Sequence, residues 1–168
     1  RNMSTHSRRQ FIARSATVAA FPYVLTQRGL AAKKPASERI RVGMVGAAGR
    51  AGSLNSIFAR NPNAEVVSIA EIDPRRTAQT LQRVTEIQGH KPGVTTDFRK
   101  LIEDDSIDAL CVGTPDHWHA IPTILGCLAG KDVYVEKPDG HNIVEGQRMV
   151  AAMRKHKRIV QMGSQHRS

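Results

Sequence analysis

Four stretches of this chain hold residue types suited to chemistry: the small-residue run Gly46-Ala47-Ala48-Gly49-Arg50-Ala51-Gly52, the acid Glu71, the segment Thr114-Pro115-Asp116-His117-Trp118-His119, and Glu136-Lys137-Pro138. The first follows an apolar, β-branched run from Ile40 to Val45 and precedes a helical pattern from Leu54 to Arg60, so it reads as strand, tight turn, helix. Such a turn leaves the first helix amides unpaired, with the positive end of the helix dipole behind them. Small side chains then let a pyrophosphate reach the backbone. Gly46 with the amides of Ala48, Gly49, Arg50 and Ala51 is therefore a candidate phosphate cradle, and a dinucleotide its natural ligand.

The glycine spacing is G-x-x-G-x-x-G rather than the usual dinucleotide fingerprint G-x-G-x-x-G, and Ala48 and Ala51 stand where the second and third glycines would be. Either the ligand sits farther out by the thickness of a methyl, or the shifted register is the operative one. A turn that is merely structural is the plainer alternative. Glu71 lies 25 residues beyond Gly46, close to the offset of about 20 at which an acid grips the adenosine ribose. A carboxylate there favours NAD, since it would repel the extra phosphate of NADP. Arg75 and Arg76 keep NADP open, because an arginine past this strand can accept a 2′-phosphate. A solvated strand end is the plainer reading of Glu71.

The elements that must position these residues alternate regularly. After the first strand and helix, Glu65 to Ile69 predicts a second strand, and Pro74 opens a helix to about Gln88. Val94 and Thr95 make a short third strand, and Asp97 can cap a helix continuing to Glu103. Ile107 to Val112 is nearly continuous in apolar residues, as a central strand covered on both faces should be. A helix runs through Ala129 to Gly130-Lys131, Val133 to Val135 is the fifth strand, Asn142 and Glu145 resemble a capping box for a helix to about His156, and Ile159 to Met162 is the sixth strand. Six such alternations without an internal repeat predict an α/β fold, a doubly wound parallel sheet, over 38–163.

At 168 residues the chain suffices for one domain with a real core and hardly for two. Its formal charge of +10 suggests nucleic acid until it is located: seven basic residues and no acid precede Glu38, so the rest carries only +3. With one Trp, two Tyr and four Phe and no basic patch interleaved with aromatics, no nucleic-acid partner is expected. Ser7-Arg8-Arg9-Gln10-Phe11-Ile12 has the form of a twin-arginine export signal, with a cleavage point before Lys33, so 1–34 is expected to direct export to the periplasm. A disordered basic tail on a cytoplasmic protein is the alternative. Ala13 to Leu25, broken by Arg14 and Pro22, is too short and too polar for a membrane anchor. Cys111 and Cys127 form no C-x-x-C pair and read as packing residues, with a disulfide as the lesser alternative. His117 and His119 lack the companions of a zinc site, so no metal is expected.

Taken together, Thr114-Pro115-x-x-x-His119, Ala129-Gly130-Lys131, Glu136-Lys137-Pro138 and the closing run from His141-Asn142 through Val160-Gln161-Met162-Gly163-Ser164-Gln165-His166-Arg167-Ser168 resemble the glucose-fructose oxidoreductase, inositol dehydrogenase and rhizopine-catabolism (Gfo/Idh/MocA) family. The resemblance covers Ile40 to Ser168. It implies NAD(P)-dependent hydride transfer on a sugar, polyol or related alcohol. Thr114 and Pro115 would line the coenzyme, Trp118, His119 and Glu136 would border it, and Lys137, beside the nicotinamide, would be catalytic. A desolvated Lys137 near a histidine would also shuttle protons. Family members carry a second α/β domain that holds substrate and through which homo-oligomers can form. Residues 164–168 would be its start, with the remainder absent from this sequence. The competing expectation is a non-catalytic nucleotide-binding or interaction module.

Overall fold

Runs of Val, Ile and Ala between glycine- and proline-bearing turns form short strands, buried at the centre of the sheet and exposed at its edges, and the segments between them wind into helices. The computed structural model describes residues 38–164. In chain order they form β1 (Ile40–Val45), α1 (Gly49–Arg60), β2 (Ala64–Ala70), α2 (Pro74–Gln88), β3 (Gly93–Thr95), α3 (Arg99–Glu103), β4 (Ala109–Val112), α4 (Ala120–Leu128), β5 (Asp132–Val135), α5 (Ile143–His156) and β6 (Val160–Met162). The strands make one sheet in the order β3-β2-β1-β4-β5-β6, and every pairing is parallel. This is the doubly wound fold expected. Strand order reverses between β1 and β4, so the crevice at their carboxyl ends is where such sheets take ligands.

Alternate strand residues feed two cores. Val42, Met44, Val66, Ile69 and Cys111 pack with Leu54 of α1 and Val84 of α2. Leu110, Val112, Val133 and Val135 pack with Leu101 of α3, Cys127 of α4 and Met149 of α5. The register slips between Val42 and Gly43, whose partners are Val66 and Ser68. The extra residue, Val67, lets Val66 and Ile69 face the same core although three positions apart. Cys111 and Cys127 are free, buried thiols in different cores, which sets the disulfide alternative aside.

The helix starts obey the expected chemistry. Asp73 accepts from the amide of Arg75 with Pro74 in the first turn, and Asn142 accepts from the amide of Glu145. The Glu145 carboxylate reaches back one residue farther than a capping box requires, to the amide of His141 at 2.7 Å. Asp97 accepts from the amide of Arg99 at 3.0 Å. Helix α1 starts at Gly49, five residues before its apolar pattern, because glycine and alanine show no periodicity. The stretch after Thr114 first makes a short 3-10 turn, Asp116–Trp118, and α4 begins only at Ala120. Lys131 is buried, with Nζ donating to the carbonyls of Asp104 and Ile107 at 2.7 and 2.9 Å. It pins the α3–β4 connection to the turn before β5.

No helix among the described residues is long and apolar enough to cross a membrane. The twin-arginine-like segment, its cleavage point, and Gln165 to Ser168 lie outside the described residues.

Candidate functional site

The glycine-rich turn lies at the crevice and decides the register. Gly46 (φ 105) and Gly49 (φ 51) hold positive φ, whereas Ala48 is extended at φ −107 and ψ 162. The shifted G-x-x-G spacing is therefore the operative one. Ala51, standing for the third glycine, keeps its methyl because the glycine lies opposite: a Cβ on Gly113 would sit 2.8 Å from the Ala51 Cβ and 3.0 Å from its Cα. Space around Gly49 is open. Asn55 Nδ2 donates to the carbonyls of Gly46 and Ala51 at 3.1 and 2.8 Å, and Thr80 Oγ1 donates to that of Ala47 at 2.8 Å. These bonds fix the turn from behind. Sequence reasoning missed Asn55, Thr80 and Gly113; an asparagine buried in mid-helix was the available signal.

Ala48 caps α1 without a side-chain bond, and the amides of Gly49, Arg50 and Ala51 have no partner among the described residues. Beside them lies Glu71. Its Oε2 accepts from the amide of Ala47 at 2.9 Å, and its Oε1 from those of Ile72 and Asp73 at 2.8 and 3.1 Å. The carboxylate is thus held at the edge of the turn, at the end of β2. Arg75 and Arg76 pair with Asp73 at 3.2 and 3.4 Å, and the Arg75 bond holds the Asp73 carboxyl below its usual range.

Across the crevice, the structure divides the residues expected at the coenzyme into outward and inward sets. Pro115 and Lys137 are exposed, and the Lys137 ammonium has no partner among the described residues. No element among the described residues covers that ammonium, so the desolvation expected of it would come from bound coenzyme and substrate. Trp118 packs edge-on against Phe98, ring centroids 6.3 Å apart, and stays partly exposed. The Thr114 hydroxyl is buried and lacks a partner among the described residues.

Two of the residues expected to border the coenzyme turn their polar atoms inward. His119 is 1% exposed, with Nε2 2.7 Å from the carbonyl of Thr114 and Nδ1 on the carbonyl of Pro138. Neither ring nitrogen is left for a ligand. Glu136, 3% exposed, accepts from Arg50 Nε at 2.9 Å, from the Tyr134 hydroxyl at 3.3 Å and from the amide of Lys137 at 3.3 Å. Its reach is to the guanidinium of Arg50, which belongs to the glycine turn. The bond to Glu136 strengthens the charged state of Arg50, while burial, and then the Glu136 charge, push the Tyr134 phenol up. Gly163 closes over this cluster, where a Cβ would meet the Tyr134 hydroxyl and Glu136 Oε1.

Among the described residues no group of three or more His, Cys, Asp or Glu can hold a metal ion. The features present suit a dinucleotide: unpaired helix amides facing a crevice, open space at a left-handed glycine, a carboxylate at the end of the second strand, and an orphaned hydroxyl beyond the fourth. A parallel sheet with this strand order and these features is a nucleotide-binding Rossmann domain.

The family model described as "Oxidoreductase family, NAD-binding Rossmann fold" (Gfo/Idh/MocA) matches residues 40–164, and the chain belongs to that family. It is 34% identical over 134 residues to inositol 2-dehydrogenase of Rubrobacter xylanophilus, covering 78% of this chain and 37% of that protein. It is 29% identical over 108 residues to alpha-N-acetylgalactosaminidase of Shewanella oneidensis, covering 62% and 24%. A levoglucosan dehydrogenase solved with NADH and levoglucosan superposes with a TM-score of 0.66 at 25% identity, over 74% of this chain and 34% of that one. Scyllo-inositol dehydrogenase from Lactobacillus casei, solved with NAD(H) and scyllo-inositol, gives a TM-score of 0.66 at 24% identity, over 77% and 37%. The chain spans about a quarter to little more than a third of the length of the curated relatives it matches.

Proposed function

We propose that this chain holds NAD and serves as the coenzyme-binding part of an oxidoreductase that moves hydride between the nicotinamide and a sugar, polyol or related alcohol. The observation that carries the reading is the row of unpaired amides at Gly49, Arg50 and Ala51 beside the anchored Glu71 carboxylate. Those amides would take the pyrophosphate, with the helix dipole behind them. Glu71 would accept from the ribose hydroxyls, and the pairing of Arg75 and Arg76 with Asp73 supports NAD over NADP. When bound, the nicotinamide supplies the hydride donor or acceptor. The exposed Lys137 ammonium would donate a hydrogen bond to the substrate oxygen and stabilise the charge that develops there. The walls that orient substrate and exclude water belong to a further α/β domain of the kind the family resemblance implies.

Titrating the full chain with NADH and with NADPH tests this. Micromolar NADH affinity, seen as a change in NADH fluorescence, with weaker NADPH binding supports the reading; unchanged fluorescence with folded protein overturns it. A second reading has its own support, because several relatives are named glycosyl hydrolase family 109 proteins and another alpha-N-acetylgalactosaminidase. Release of nitrophenol from an aryl glycoside without net NADH formation, by a form that includes a substrate domain, would favour it. The leader is proposed to send the folded protein to the periplasm. Twin-lysine replacement of Arg8 and Arg9 should then retain the protein in the cytoplasm.

A further inference from the structure

We propose that His119 is a positioning residue for the nicotinamide half of the site: its ring ties the loop that carries Lys137 to the loop that carries Thr114, so the two move as one wall. The inference rests on the coenzyme reading above. Beyond the last bond between β4 and β5, from the amide of Glu136 to the carbonyl of Val112 at 2.9 Å, the chain leaves the sheet from both strands. There the imidazole takes over. Its two nitrogens lie on opposite edges of the ring, one on the carbonyl of Thr114 and one on that of Pro138, and the ring is buried between them. Either neutral form donates to one loop, and a ring carrying both protons donates to both.

The backbone is held on either side of the Lys137 side chain. Its amide is held by the Glu136 carboxylate at 3.3 Å, and the next carbonyl, that of Pro138, is held by His119. The side chain projects freely from a pinned peptide. His119 is itself anchored, its carbonyl accepting from the Thr123 hydroxyl at 2.8 Å on α4. The histidine thus stands behind the site and acts on it through two loops.

Comparing ADP-ribose, which lacks the nicotinamide, with NADH on the full chain by calorimetry tests the role. The unmodified chain is expected to bind NADH more tightly than ADP-ribose. His119→Ala should lower NADH affinity about tenfold, the loss expected for one buried hydrogen bond. ADP-ribose affinity should stay within about twofold, as for distant independent sites. His119→Asn and His119→Gln each keep a donor near one end of the tie and should fall between; should the alanine variant fail to fold, these two carry the test. An equal loss for both ligands, no margin for NADH in the unmodified chain, or full restoration by either amide variant alone overturns the inference. No binding of ADP-ribose by the unmodified chain overturns the coenzyme reading and this one with it.

Discussion

Arg50 Nε donates to Glu136 Oε1 at 2.9 Å, joining the first turn of α1 to the residue that follows β5. The carboxylate is almost fully buried, while the guanidinium is 39% exposed and also interacts with the Tyr134 hydroxyl. A guanidinium held by a buried carboxylate at the glycine turn suits a diphosphate.

Arg50→Ala should therefore weaken NADH binding about tenfold and flatten its salt dependence. It should also cost about 1–3 kcal/mol of stability, because Glu136 keeps only the Tyr134 hydroxyl and an amide for its buried charge. Urea unfolding alongside NADH titration at two salt concentrations checks both. An affinity unchanged at low salt would remove Arg50 from the site.

The pairing of Ala51 with Gly113 predicts a reciprocal rescue. Gly113→Ala puts a methyl 2.8 Å from the Ala51 Cβ and should destabilise the domain by about 1–3 kcal/mol, with loss of NADH binding as the turn shifts. Adding Ala51→Gly removes the 2.8 Å contact but leaves the backbone Cα at 3.0 Å, so it should restore part of both. Independent, additive effects in the double mutant would mean that the contact is not the reason for either residue.

Glu71 should set coenzyme choice. Glu71→Gln keeps acceptors for part of the amide set around the turn and removes the charge, so NADPH binding should rise relative to NADH by about tenfold. Competition between the two coenzymes measures it. A ratio that does not move would return Glu71 to a structural cap of the turn, a role its three amide bonds already fill.

Lys137→Ala should leave NADH affinity within about twofold, since the side chain is exposed and unpaired. Turnover by a form that includes a substrate domain should fall by about a hundredfold or more. Equal losses in binding and turnover would show that the ammonium holds coenzyme rather than substrate.

Burial pushes the Cys111 thiol far above its ordinary value of 9.0 and raises Cys127 as well. Past pH 9.0 the unfolded chain releases these protons while the folded chain keeps them. The thiols' contribution to stability is thus full below that value and lost as pH rises. The urea midpoint should drop between pH 8 and pH 10 by less in the double alanine variant. Both thiols should resist alkylation at neutral pH until the chain is unfolded.

Periodicity and turn chemistry were enough to read the fold from the chain alone. The apolar runs at Ile40 to Val45 and Ile107 to Val112, Pro74 after Asp73, and Asn142 with Glu145 are local signals, each acting within a few residues, and the six strands lie where those signals put them. The loops that carry Glu71, Thr114 and Lys137 were legible for the same reason, because parallel strands deliver their carboxyl ends to one rim. What the side chains do there was not legible. Whether Ala51 fits depends on Gly113, 62 positions away; whether Glu136 and His119 face a ligand or the interior depends on Arg50, Thr114 and Pro138. Sequence patterns record which residues stand at the crevice, but hydrogen-bond partners are chosen by proximity across strands, and that proximity exists only once the sheet has assembled.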